Sequence, residues 1–61
     1  MAKAYLDVGG ELELLIEDVA SVESKGSMVR IANLFGETRE VEAVIREVDF
    51  QDGRILLERP G

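Results

Sequence analysis

The stretch Gly9-Gly10-Glu11-Leu12-Glu13-Leu14-Leu15-Ile16 decides how this chain folds. Two consecutive glycines can both adopt positive φ, the backbone a tight β-hairpin turn requires, and the residues after them alternate between acidic and apolar. A period of two puts Leu12, Leu14 and Ile16 on one strand face and Glu11 and Glu13 on the other. A helical stripe can be drawn through Leu12, Leu15, Ile16 and Val19, but the flanking β-branched residues and nearby glycines favour a strand.

Working outward, the same grammar recurs. In Ala2–Asp7, Ala4 and Leu6 share one face and Lys3, Tyr5 and Asp7 the other. Downstream, Val19 and Ser21 oppose Ala20 and Val22, and Lys25-Gly26 makes the next turn. Met28 to Phe35 reads as the longest strand, with Val29, Ile31, Asn33 and Phe35 opposite Met28, Arg30, Ala32 and Leu34, and Gly36-Glu37 ends it. Between Thr38 and Phe50 the apolar parity changes near Val44 and Ile45, which predicts a bulge or a corner. Gln51-Asp52-Gly53-Arg54 is the strongest hairpin signal, leading into Ile55-Leu56-Leu57-Glu58 before Pro60 stops the ladder. Phe35 and Phe50 are assigned to core packing, and the Tyr5 hydroxyl needs a partner or water. With no linker or repeat, residues 1–61 read as a single all-β domain of about five to seven short strands. The predicted architecture is a small SH3-like β-barrel, because closure removes exposed strand edges. An open β-sandwich half and a five-stranded OB-like barrel remain alternatives that spacing does not separate.

A chain of 61 residues hides only about 60% of the surface its unfolded form exposes, so such folds lean on disulfides, metals or association. Cysteine and histidine are both absent, which excludes disulfides and the common structural zinc sites. Association is the support left, and a homodimer is expected, because Leu14-Leu15-Ile16 and Ile55-Leu56-Leu57 are apolar on both strand faces. The amino terminus reaches Asp7 without a long apolar core, and no run approaches about 18 apolar residues, so the expected location is the cytoplasm, away from membranes.

Nucleophilic catalysis needs a base beside the nucleophile, and Ser21, Ser24, Ser27 and Thr38 have no histidine to pair with. No catalytic residue is assigned, and the chain is not expected to be an enzyme. Glu11 with Glu13, Glu17 with Asp18, and Glu40 with Glu42 are the closest carboxylate pairs, but none matches a calcium loop, and solvated strand faces or turns account for them. Gly9-Gly10 lacks the Gly-Lys-Ser or Gly-Lys-Thr continuation of a phosphate cradle. Thirteen acidic against seven basic residues give a net charge of −6, which repels phosphate backbones and suits a basic partner or a cation. Arg30, Arg39, Arg46, Arg54 and Arg59 each stand close to an acidic residue, so no basic stripe forms, and useful RNA affinity is not expected.

Three segments together go further: Ala2-Lys3-Ala4-Tyr5-Leu6, then Leu14-Leu15-Ile16-Glu17-Asp18-Val19, then Val29-Arg30-Ile31-Ala32-Asn33-Leu34-Phe35-Gly36-Glu37. In these the chain resembles the CooT-type nickel-binding proteins over most of its length. The resemblance implies a small homodimeric accessory protein for nickel delivery to carbon monoxide dehydrogenase, with nickel-enzyme maturation proteins as partners. The same group has been labelled predicted RNA-binding proteins, so an RNA-binding module is the alternative. The family pattern begins Met-Cys-x-Ala-Lys, its cysteine serving as the nickel ligand, whereas here Met1 takes the x position ahead of Ala2-Lys3. Within the chain no metal or cofactor residue is therefore assigned, and nickel is expected only where a cysteine precedes Met1.

Overall fold

The glycine turns fall where the sequence places them. A computed structural model describes residues 2–60, and within them seven strands follow in order: β1 (Lys3–Val8), β2 (Glu11–Ile16), β3 (Val19–Lys25), β4 (Met28–Asn33), β5 (Thr38–Glu42), β6 (Val44–Asp49) and β7 (Arg54–Glu58). Gly9 and Gly10 both have positive φ, 62° and 92°, as the two-residue turn between β1 and β2 requires, and Asp7 Oδ1 accepts the Gly10 N–H at 2.9 Å. Four residues, Phe50–Gly53, link β6 to β7, and Asp49 Oδ1 accepts the N–H groups of Gln51 and Asp52. No helix is present among the described residues, so none is long and apolar enough to cross a membrane.

The all-β class and the short strands are as expected, but the sheet does not close. Instead the strands sort into a four-stranded sheet in the order β2-β1-β7-β6 and a three-stranded meander β3-β4-β5. The first and last strands, β1 and β7, run parallel at the centre of the larger sheet, Lys3 beside Arg54 through Asp7 beside Glu58. The predicted corner is real: Ala43 separates β5 from β6, which belong to different sheets, and its N–H donates to the Ser27 carbonyl at 3.1 Å. At the opposite side β3 and β6 are both edge strands and do not pair, which is why the barrel stays open.

The core lies between the sheets, where Ala4, Leu6, Ile55 and Leu57 meet Val29 and Ile31, with Leu15, Ile16 and Ala43 completing the cluster. Leu57, Val29 and Ile31 are fully buried. Cutting Leu57 back to alanine should cost about 2–5 kcal/mol, comparable with the whole stability of about 3–9 kcal/mol for a chain of this size, so urea denaturation should find that variant largely unfolded.

Bulges overturn several facings read from strict alternation. Tyr5 lies opposite Leu14 while Ala4 lies opposite Ile16, so Leu15 is an extra residue in β2. Leu12 and Leu14 therefore share the outer face with Asp7 and Tyr5 and stay half-exposed, at 48% and 45%, whereas Ile16 turns into the core. The two aromatic assignments also fail. Phe35 is 74% exposed and Phe50 92%, because β4 stops at Asn33 and β6 at Asp49, leaving both rings on turns. Leu56 is buried on the outer face between Tyr5 and Glu47, its neighbours on β1 and β6, so the chain itself covers that part of the second face.

Candidate functional site: an uncharged groove between the sheets

The gap between β3 and β6 is a groove of about 490 Å³. Val19 and Val22 form one wall, Ile45 and Val48 the other, with Ile55 of β7 beside them and Ala2, Ala20, Ser21 and Phe50 completing the lining. Among the described residues no charged side chain lines it, in a chain that carries a net charge of −6. Ile45 and Val48 remain 40% and 43% exposed, so the groove is apolar surface left open to water.

Both walls are built by the same device. Residues three apart in a regular strand point to opposite faces, yet Val19 and Val22 face the groove together, because the register shift between Val19 and Ser21 makes Ala20 an extra residue. Likewise Ile45 lies opposite Leu57 and Val48 opposite Ile55, with Arg46 the extra residue between Ile45 and Glu47. The displaced Arg46 reaches the outer face, where its Nη1 donates to Asp7 Oδ2 at 2.6 Å and approaches Glu58 Oε2 at 3.5 Å. That guanidinium, aided by the Gly10 N–H, holds the Asp7 carboxyl below the usual carboxylate range, and Asp7 in turn raises Arg46. Alternation alone set Val19 opposite Val22. The available signal was β-branched residues spaced by three on either side of Ala20 and Arg46.

A second feature sits at the β4–β5 connection. Asn33 is buried, its Oδ1 accepting the N–H groups of Phe35 at 3.0 Å and Glu37 at 2.8 Å while its Nδ2 donates to Glu37 Oε1 at 2.7 Å. The Leu34 N–H donates to the Asp18 carbonyl at 3.0 Å, tying this loop to the β2–β3 turn. Asp18 itself has φ 56°, a left-handed conformation that aspartate tolerates better than most residues. Phe35 thus forms one wall of a cleft of about 420 Å³ shared with Leu14, Glu17, Asp18, Glu37 and Arg39.

The carboxylate pairs stay apart from both features or within turns. Glu11 and Glu13 lie on the edge strand β2 opposite Val8 and Leu6, Glu40 faces Arg30 at 3.9 Å, and Glu42 lies opposite Met28. Among the described residues no three carboxylates come together as a metal cluster.

Two packed sheets opening on an uncharged groove define a small all-β protein of the two-sheet type. Residues 1–58 match the family described as CO dehydrogenase accessory protein CooT. The chain belongs to the CooT family. Over 98% of its length it superposes on 97% of the crystal structure of a CooT candidate from Carboxydothermus hydrogenoformans, with a TM-score of 0.88 and 32% identity. It is also 39% identical over 46 residues to an uncharacterized protein of Methanocaldococcus jannaschii, covering 75% of this chain and 81% of that relative. The family is one of accessory proteins rather than catalysts.

Proposed function

We propose that the chain is a homodimeric accessory protein for CO dehydrogenase of the nickel-delivery type, and that the groove between β3 and β6 is its self-association surface. The observation that carries this reading is the uncharged groove itself, in a small domain whose remaining surface is strongly acidic. Two copies of net charge −6 repel one another at long range, and an uncharged lining is where their contact costs least. Phe50, almost fully exposed at its end, supplies a ring for a second copy to cover. A standard interface of about 800 Å² per partner would cover about a fifth of the 4160 Å² surface.

Nickel enters as cargo. The chain has neither thiolate nor imidazole, and carboxylates suit harder ions than nickel, which prefers nitrogen and sulfur donors. Residues 2–60 therefore do not fit nickel on their own, and the reading assigns the ligand to a cysteine ahead of Met1. Ala2 lines the groove, so two such cysteines would approach one another across the self-association surface. Light scattering of this chain should give twice the chain mass at micromolar concentration. Calorimetric titration should show nickel binding only after Met-Cys is placed ahead of Met1, and that binding should weaken steeply on acidification, since thiolate and amine must lose protons to coordinate. A monomer, or equal nickel affinity in both forms, would sink the reading.

A further inference from the structure

The segment Leu34-Phe35-Gly36 is the most prominent apolar surface outside the groove, with Leu34 58% and Phe35 74% exposed. An exposed ring on a loose turn would need no explanation, but this turn is tightly held. Asn33 spends its whole side chain on it, accepting from Phe35 and Glu37 and donating to Glu37, while the Asn33 N–H donates to the Glu37 carbonyl at 3.0 Å. Asp18 fixes Leu34 from a second loop. Gly36, at φ 83°, takes the left-handed turn that follows the ring. A buried amide thus fixes the backbone from which a phenyl ring projects into solvent, which removes the backbone share of the ordering cost of binding. Around the ring the cleft carries Glu17, Asp18 and Glu37 against Arg39 alone.

We propose that Phe35 is a preorganised docking knob, and that its occupant is an apolar pocket rimmed by lysine or arginine on the CO dehydrogenase polypeptide. The inference rests on the accessory role and deepens it by naming the face that meets the client. Charge chooses the partner's chemistry: an acidic rim repels a second copy of this chain, which is itself acidic, and attracts a basic one. The knob lies outside the groove, whose lining it does not share, so one chain can associate with its copy and hold a client at once.

The test is biolayer interferometry of the full chain on immobilised nickel-free CO dehydrogenase from the same source. The wild type should bind, F35S should raise Kd by about tenfold or more as loss of a buried aromatic anchor does, and F35L should retain most of the affinity. E17K should weaken binding, and raising salt from about 0.05 to about 0.3 M should weaken the wild type, since exposed charges at a docking rim are screened. Circular dichroism checks that each variant is folded. F35S binding like the wild type would overturn the knob while leaving the accessory role standing. No binding by the wild type would overturn both. A change in the mass of F35S without a change in client binding would show that a second copy is the occupant, and would also overturn the proposal.

Discussion

The groove between β3 and β6 and the knob at Phe35 both leave large apolar side chains in water, but for opposite structural reasons. The groove is open because two edge strands fail to meet, and its walls are apolar by virtue of two bulges, at Ala20 and Arg46. Phe35 is exposed because hydrogen bonds hold it out, at the expense of a buried asparagine. An unfinished edge offers apolar side chains without charge, beside strand backbone with no pairing partner, which suits self-association. A ring on a fixed turn with a charged rim offers a specific place and sign, which suits recognition of a different chain.

The comparison breaks most readily at Val48. A carboxylate in the groove of each copy would face uncharged lining with nothing to pair with, so V48D should weaken self-association by about 100-fold, or about 3 kcal/mol. Sedimentation over a concentration series reads this directly, and client binding through the knob should persist. If V48D keeps the wild-type mass, the groove is not the surface where copies meet.

Next in size is N33A. Three hydrogen bonds go with the amide, leaving two N–H groups without their acceptor, so urea denaturation should show a loss of about 2–3 kcal/mol. Mass should be unchanged, since Asn33 does not line the groove. By contrast F50S and F35S should each leave the stability of the folded unit within about 0.5 kcal/mol, because neither ring packs in its own core. A much larger loss in F35S would mean the ring is part of the fold rather than presented by it.

Much of the scaffold was legible in the residues and much of the site was not. Glycine turns, the all-β class and the corner expected near Val44 and Ile45 follow from local chemistry, since positive φ and broken parity leave marks in sequence. Facing is another matter. One extra residue reverses every side chain beyond it; the valines three apart mark Ala20, but nothing local marks Leu15, so Leu12 and Leu14 read as core while the structure places them outside. Phe35 and Phe50 misled for a related reason: hydrophobicity predicts burial on average, but these two fall just beyond strand ends, where the turn and not the ring decides direction. Asn33 read only as one member of an alternating strand, because its role depends on Glu37 and Phe35 folding back on it.

The smallest expected effect concerns how the groove wall is held. Arg46 is the extra residue that lets Ile45 and Val48 face the groove together, and it is tied on the opposite face to Asp7 and Glu58. Asp7 has its carboxyl lowered first by the Arg46 side-chain bond and then by the Gly10 N–H. A carboxylate with a depressed folded-state pKa contributes stability above its unfolded value of about 3.9 and loses it as pH falls through the folded value. The contribution is therefore complete at neutral pH and fades only in acid below about pH 4, in the direction of lower stability. D7N should remove it at neutral pH, giving a slightly lower urea midpoint there and a shallower decline on acidification than the wild type. Because the ion pair is solvent-exposed, the difference should shrink with added salt. If the bulge depends on this tie, D7N should also loosen self-association at pH 7 while leaving client binding through Phe35 intact, which separates the two surfaces once more. An unchanged acid slope in D7N would mean that Asp7 contributes nothing to the pH dependence.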